Sequence, residues 1–205
     1  DDRYCLLSSS DAKTWTRFQE IRLNGDSECP DFFPIANDTG AEKWVFSGAG
    51  GSYSVGDFDG KVFVPETPVL QYELGRNGYA AQTWSNAPNN RRIQVSWMAG
   101  GRYPEMPFNQ QLSVPVELSL AGSGGSVTLN RWPVHELDLL RVRTVSVGRE
   151  TISKDKPMVA QTDAKLLDVS FKVFRQSAKG FYVVVRGHPI VFDWDAMTLS
   201  VETSG

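Results

Sequence analysis

The segment that decides the fold is Lys43–Phe63, which reads KWVFSGAGGSYSVGDFDGKVF. Its first five residues are typical of a strand, and Gly48-Ala49-Gly50-Gly51 then interrupts that strand. Residues 52–63 form strand-like runs on both sides of Asp59-Gly60, a dipeptide that supplies the positive φ of a tight hairpin turn. The segment therefore predicts short strands joined by glycine turns.

Strand patterns continue on both sides of this segment. Residues 92–98 alternate before stopping at Ala99-Gly100-Gly101. Other strands are predicted at 3–9, 126–129, 167–174, 180–185 and 190–194. Only Val134–Val142 has helical spacing, and it is long enough for one or two turns. The pattern predicts an all-β fold with the short strands of a sandwich or a propeller.

Composition narrows the class of protein. The 205 residues carry 21 Lys and Arg against 24 Asp and Glu, a formal charge of -3, so they provide no basic stripe for nucleic acid. No apolar run approaches the roughly 18 residues of a membrane helix. Neither nucleic acid nor a membrane is therefore expected as a partner. The 18 Gly, 11 Pro and six Trp favour a β-rich protein with an aromatic-lined site.

Cysteine and histidine are scarce, with only Cys5, Cys29, His135 and His188. No spacing suits zinc, so neither a metal nor any other cofactor is predicted, and a histidine-centred triad is disfavoured. We expect Cys29 to be a small buried residue and both histidines to be surface or interface residues. Arg91-Arg92 is interpreted as a solvated turn.

Three segments of the chain share a repeated pattern. The segments 28–63, 77–98 and 106–129 each run from a polar loop through an aromatic-containing strand and a turn to a second strand. Such recurrence is compatible with propeller blades. After about Thr144 the density of Gly and Trp falls, and a domain change is expected there.

The residues that could carry chemistry lie in Asp26–Pro34. Pro30 and Pro34 fix the backbone φ, so the carboxylates of Glu28 and Asp31 are held in a defined relation. Apolar neighbours raise a carboxyl pKa by desolvation, as a general acid near neutral pH requires. The alternative is a surface turn whose acids accept hydrogen bonds from backbone N–H groups.

Six strings of the chain form a recognisable series: Glu28-Cys29-Pro30-Asp31, Val55–Gly60, Tyr79–Ser85, Arg91–Met98, Met106–Leu118 and Pro133–Leu137. Taken in this order, they closely resemble glycoside hydrolase family 32, the invertase, inulinase and levanase family that acts on β-fructosides. The resemblance covers most of residues 4–143.

This resemblance implies a five-bladed β-propeller followed by a β-sandwich. Residues 1–143 would be a partial propeller, from the end of blade 2 through blade 5, and residues 144–205 the first part of the sandwich. The family works by a retaining double displacement with an Asp nucleophile and a Glu acid/base, and its motif assigns the acid/base role to Glu28.

The resemblance also suggests substrate-binding residues. Asp31 is expected to accept a hydrogen bond from a sugar hydroxyl, with a backbone-capping role as the alternative. Trp84 and Trp97 match positions near the fructose site, where ring faces can stack on a sugar, and packing between blades is the alternative for both.

The sequence departs from the family in one decisive respect. It contains neither the nucleophile motif Trp-Met-Asn-Asp-Pro-Asn-Gly nor the Arg-Asp-Pro motif. The resemblance therefore predicts an N-terminally truncated form that is catalytically inactive alone. Secretion and a cytoplasmic location both remain open. There are two smaller departures. This chain has Asn77-Gly78 where the family usually has Asp-Phe, and Val116 where the family usually has Arg.

The first hypothesis is thus a fragment or truncated form of a retaining β-fructosidase, with a β-fructoside sugar as its partner. A second is a non-catalytic carbohydrate-binding or assembly protein on the same scaffold, and a third is an unrelated β protein. An incomplete propeller leaves strand edges and core faces uncovered. Self-association to a homo-oligomer, or a missing N-terminal segment, is expected to cover them.

Overall fold

A computed structural model describes residues 2–201 of the chain. The chain divides into two compact units, Asp1–Thr144 and Val145–Gly205. The strands of the first unit are β1 (Arg3–Ser8), β2 (Thr16–Arg22), β3 (Asp31–Ala36), β4 (Glu42–Ser47), β5 (Ser52–Phe58), β6 (Phe63–Pro65), β7 (Leu70–Gln71), β8 (Gly78–Trp84), β9 (Arg92–Met98), β10 (Gln111–Leu112), β11 (Val116–Ala121) and β12 (Thr128–Pro133).

These strands form three antiparallel sheets. The first sheet pairs β1 with β2. The second sheet has the order β3-β4-β5-β6, with β7 added to β5, and the third has the order β10-β9-β11-β12, with β8 also paired to β9. In both five-stranded sheets the chain passes mainly from one strand to its neighbour, as short connections favour.

The predicted hairpin at Asp59-Gly60 is confirmed. Strand β5 pairs with β6 through Phe58 and Phe63. Gly60 has a φ of 88°, and the carboxylate of Asp59 accepts the N–H groups of Lys61 and Val62 at 2.8 and 2.7 Å. The acid thus closes the turn while glycine supplies the left-handed backbone.

Two apolar cores hold the three sheets together, and strand alternation assigns neighbouring residues to different cores. On β3, Phe33 belongs to the core between the second and third sheets, whereas Phe32 packs against the core between the first and second sheets. Successive side chains of a strand point to opposite faces, so β3 contributes to both cores. The core between the second and third sheets is formed by Phe33, Val45, Tyr53, Val55, Tyr72, Ala81, Leu118, Leu120, Val127 and Leu129. The core between the first and second sheets is formed by Tyr4, Ile21, Leu23, Phe46 and Phe63.

Several details differ from the sequence-based expectations. The segments 77–98 and 106–129 contribute to one sheet rather than to two repeats, because β11 pairs with β9. The described part of the first unit therefore holds one two-stranded and two five-stranded sheets. The numbering of blades and the module boundaries stay predictions.

Short 3-10 helices occur at Pro88–Asn90, Gly124–Ser126 and His135–Leu140. The last of these confirms the one or two helical turns expected within 134–142.

The second unit contains β13 (Gly180–Val185), β14 (His188–Asp193) and β15 (Thr198–Val201) in one antiparallel sheet. The strands expected at 180–185 and near 190–194 are confirmed, although β14 begins two residues earlier. The strand expected at 167–174 is wrong, since those residues have no regular structure. Within residues 2–201 no helix has the length and apolar character needed to cross a membrane.

Candidate active site

Glu28 lies in the loop between β2 and β3, and its main chain is firmly held. Its carbonyl oxygen accepts two hydrogen bonds, from the N–H of Ala49 at 2.9 Å and from the hydroxyl of Tyr4 at 3.1 Å. Its side chain is exposed, so the apolar surroundings expected for this carboxyl are not found. The loop fixes the backbone of Glu28 and presents its carboxylate to solvent.

A buried carboxylate two residues earlier shapes this loop. Asp26 is only 5% exposed, and its oxygens accept the N–H groups of Gly50 at 2.8 and 2.9 Å and of Ser52 at 3.2 Å. A Cβ at Gly48 would lie 2.5 Å from the Tyr4 hydroxyl oxygen and 2.6 Å from Cγ of Asp26. The turn after β4 therefore approaches Tyr4 and Asp26 so closely that only glycine fits at position 48.

The carboxylate of Glu28 meets a phenol from the third sheet. The Tyr79 hydroxyl donates a 2.5 Å hydrogen bond to Oε2 of Glu28, 51 residues away in sequence. This hydrogen bond raises the pKa of Tyr79 to about 12, with smaller contributions from desolvation and nearby acidic groups. The phenol consequently remains a hydrogen-bond donor at neutral pH.

Asp31 connects two sheets rather than standing free in the site. Its Oδ2 accepts the backbone N–H of Thr83 at 2.7 Å. Burial raises the pKa of Asp31, while the hydrogen bonds from Thr83 and the charge of Arg92 act in the opposite direction. The backbone-capping alternative thus has a defined partner, and contact with a sugar hydroxyl stays a prediction.

The two candidate tryptophans line a shallow cavity on the third sheet. Its volume is about 370 Å³, and its lining includes Trp84, Trp97, Gln82 and Leu112. Trp84 is 51% exposed at the end of β8, whereas Trp97 packs edge-on against the Tyr79 ring, with centroids 6.2 Å apart. Trp84 therefore presents more ring surface, and sugar stacking by either residue stays a prediction.

The expected solvated turn at Arg91-Arg92 is wrong. The Arg91 side chain is only 11% exposed and pairs with Glu117 at 2.8 Å and with Glu136 at 2.5 Å. The guanidinium of Arg92 lies over the ring of Phe33, 5.0 Å from its centroid. Two of the recognised strings, Arg91–Met98 and Pro133–Leu137, are therefore joined by an ion pair.

Cys29 also differs from expectation. It is exposed rather than buried, and it adopts a left-handed backbone with a φ of 42°. His135 and His188 are exposed, as expected of surface residues. Among residues 2–201, no three His, Cys, Asp or Glu side chains group in a way that could hold a metal ion.

Two residues that shape the candidate site, Asp26 and Tyr79, were not predicted from the sequence. Tyr79 stands in one of the recognised strings and Asp26 begins the acidic segment, but neither was assigned a role. The available signal was the membership of Tyr79 in its string and the position of Asp26 two residues before Glu28. Their partners could not be found, since each contact spans more than 20 positions.

The geometry defines a class of protein: a β-propeller with an exposed glutamate held at a junction between sheets. The same fold occurs in exo-inulinase from Aspergillus awamori, with a TM-score of 0.56, 24% identity and coverage of 64% of this chain and 31% of that one. A fructofuranosidase from Schwanniomyces occidentalis complexed with fructosylnystose gives a TM-score of 0.54 and 23% identity, over 65% of this chain and 30% of that one. The predicted all-β fold with a partial propeller is confirmed.

Residues 1–133 match the glycosyl hydrolases family 32 N-terminal domain, and the chain belongs to this family. It is similar to a levanase from Bacillus subtilis, with 33% identity over 90% of this chain and 32% of that protein. It is also similar to an extracellular exo-inulinase from Aspergillus awamori, with 24% identity over 90% of this chain and 40% of that protein. The chain thus spans about a third of the length of these relatives.

Proposed function

We propose that this chain carries the acid/base part of a retaining β-fructosidase site, with Glu28 as the acid/base and a β-fructoside sugar as substrate. The observation that carries the proposal is the anchoring of Glu28, whose carbonyl oxygen accepts hydrogen bonds from Ala49 and Tyr4 while its carboxylate is exposed. A general acid must be held within reach of the leaving oxygen, and this loop restricts where the carboxylate can go.

The proposed substrate class rests on family membership and on similar proteins named levanase and exo-inulinase. In a retaining reaction, the acid/base first protonates the departing sugar oxygen and later deprotonates the attacking water. The second carboxylate forms a covalent sugar ester and has to lie about 5–5.5 Å from the first. Its family motif is missing from the 205 residues, so we infer that the chain alone does not turn over substrate.

Turnover measurements test this inference. Sucrose, inulin and levan are each incubated with the 205-residue chain and with its Glu28→Gln variant, and released fructose is measured. We expect no turnover by either protein. Turnover by the chain that Glu28→Gln abolishes would refute the inactivity of the chain while supporting the role of Glu28.

A second candidate function is non-catalytic carbohydrate binding. The half-exposed Trp84 in the shallow cavity of the third sheet favours it, because an exposed ring face can stack on sugar C–H surface. Calorimetric titration with levan or sucrose tests binding without requiring turnover. Loss of binding in Trp84→Ala, but not in the control Trp15→Ala, would support this site. Equal loss in both variants, or no binding by the original chain, would count against it.

We further infer that the chain self-associates through the third sheet. Trp84, Ile93, Glu117 and Trp132 are direct cross-strand partners, and such partners project from the same face of a sheet. Trp132 is 78% exposed on this face, so it presents apolar surface that a second copy can bury. Sedimentation over a range of concentrations should show reversible association that Trp132→Lys weakens. A monomer at all concentrations would refute it.

A further inference from the structure

The backbone bends at two places in the candidate site, directly after each of the side chains that meet there. Cys29 follows Glu28 with a φ of 42°, and Ala80 follows Tyr79 with a φ of 51°. Left-handed backbone is uncommon outside glycine and costs free energy, so it persists only where surrounding contacts enforce it. The two bends therefore need to be held by the fold.

Both bends are held by hydrogen bonds between sheets. The side-chain amide of Gln82 donates to the carbonyl oxygen of Cys29 at 3.0 Å. The N–H of Ala80 donates to the carbonyl oxygen of Ala49 at 2.8 Å, and Ala49 itself donates to the carbonyl oxygen of Glu28. The same few residues thus fix the backbone on both sides of the contact between Glu28 and Tyr79.

A β-bulge aims the phenol at the carboxylate. Tyr79 pairs with Trp97 and Gln82 with Val95, so β8 has one residue more than β9 between these pairs. Bulges of this kind redirect a side chain and occur often beside active sites. The Tyr79 ring then rests on Trp97, whose indole N–H donates to the side chain of Gln110 at 2.9 Å.

We propose that Tyr79 is a positioning residue for Glu28 that gives its two carboxyl oxygens different tasks. Oε2 accepts the hydrogen bond from the phenol, and Oε1 carries the proton that passes to the departing sugar oxygen. The inference rests on the proposed function and deepens it, because it names the oxygen that performs the proton transfer.

The assignment follows from the chemistry of a carboxylic acid, which has one hydroxyl oxygen and one carbonyl oxygen. A phenol that donates to Oε2 favours the carbonyl form of that oxygen, so the acid proton resides on Oε1. During glycoside cleavage the proton leaves Oε1 for the departing oxygen, which also takes the electron pair of the broken C–O bond. A second carboxylate bonds to the sugar carbon, and Glu28 is left as a carboxylate with Oε2 still bound to Tyr79.

The first test measures the titration of Tyr79 and needs no catalytic turnover. Tyrosine labelled with ¹³C at Cζ is followed by NMR in the original chain, in Glu28→Gln and in the control Glu42→Gln. The pKa of Tyr79 should fall from about 12 towards 10.0 in Glu28→Gln, because the negative acceptor is lost, and should stay in place in the control. An unchanged titration in Glu28→Gln would overturn the proposal.

The second test asks whether Tyr79 orients Glu28. Tyr79→Phe keeps the ring against Trp97 but removes the donor, so the rotamer-dependent couplings of the Glu28 methylene protons should become averaged. The indole N–H signal of Trp97 reports whether the bulge remains folded. Unchanged Glu28 couplings in a variant with an unchanged Trp97 signal would refute a positioning role.

The third test concerns the two oxygens. In Glu28→Gln the side-chain carbonyl should take the place of Oε2, which directs the new amide NH₂ away from the phenol. A nuclear Overhauser effect between that NH₂ and the Hε protons of Tyr79 would overturn the assignment of oxygens, and its absence is expected. These readouts are independent of activity, so a failure of the proposed function in turnover assays is distinguishable from a failure of this inference.

Discussion

Asp31 and Thr83 join the second and third sheets of the first unit: Oδ2 of the aspartate accepts the backbone N–H of Thr83 at 2.7 Å. Asp31→Ala would leave that half-buried N–H without its acceptor. An unsatisfied buried donor costs about 1–3 kcal/mol, so we expect a loss of stability in that range. Urea unfolding measures it. Asp31→Asn retains an oxygen acceptor and should lose clearly less, and equal losses in the two variants would contradict the role of this hydrogen bond.

The pH dependence of the same residue has a definite sign. Burial raises the pKa of Asp31 above its ordinary 3.8, so the folded state binds more protons than the unfolded state in the interval above that value. The free energy of unfolding contributed by Asp31 therefore falls as pH rises through this interval. Relative to Asp31→Asn, the original chain should lose stability between pH 3.8 and its folded pKa. Urea unfolding of both proteins across this range measures the difference. A gain in stability of the original chain relative to Asp31→Asn as pH rises would contradict the assignment.

Glu136 should show the opposite behaviour. Its hydrogen bonds with Arg91 lower the pKa of Glu136 from 4.5 to about 2, so its stabilising effect is present above 4.5 and is lost as pH falls towards 2. Glu136→Gln should lower the urea midpoint at pH 7 and have a diminishing effect below pH 4.5. The exposed Glu42→Gln on β4 is the control. A difference from the original chain that is independent of pH would argue against the ion pair.

Gly48 should tolerate no side chain. An added Cβ would lie 2.5 Å from the Tyr4 hydroxyl oxygen and 2.6 Å from Cγ of Asp26, the groups that shape the Glu28 loop. Overpacking of this kind typically costs about 1–3 kcal/mol, and we expect Gly48→Ala to lose stability accordingly. Gly75→Ala is the matched control because nothing lies within 4 Å of its Cβ position. Thermal unfolding compares the two variants. Similar midpoint temperatures for Gly48→Ala and Gly75→Ala would refute the close approach of Gly48 to Tyr4 and Asp26.

Cys29 offers a test of the left-handed backbone beside Glu28. At a φ of 42°, a β-branched residue is unfavourable, so Cys29→Val should destabilise by about 1–2 kcal/mol. Cys29→Gly should be tolerated without this loss, because glycine adopts such angles readily. Denaturant unfolding of both variants decides the matter. A valine variant as stable as the glycine variant would show that the backbone at this position is not left-handed.

Much of the fold could be predicted from the order of residues. Asp59-Gly60 specified its hairpin because local turn chemistry is sufficient there, with glycine supplying the angle and aspartate the acceptors. The joining of 77–98 and 106–129 into one sheet was not predicted, since the pairing of β9 with β11 depends on contacts distant in sequence. The prediction of a strand at 167–174 was wrong for a related reason. A strand pattern forms a strand only where a neighbouring strand pairs with it, and these residues have no regular structure.

The sequence by itself determined the all-β class, the glycine turns and the family, and it singled out Glu28 as the candidate acid/base. Each of these follows from local spacing or from motifs that can be recognised in order along the chain. Only the tertiary structure decided that Cys29 is exposed and that Arg91 is paired. It also decided that Asp31 binds a backbone N–H and that Tyr79 reaches Glu28 across 51 positions. Burial and hydrogen-bond partners arise between segments that meet only after the sheets pack, so residue type and spacing alone do not specify them.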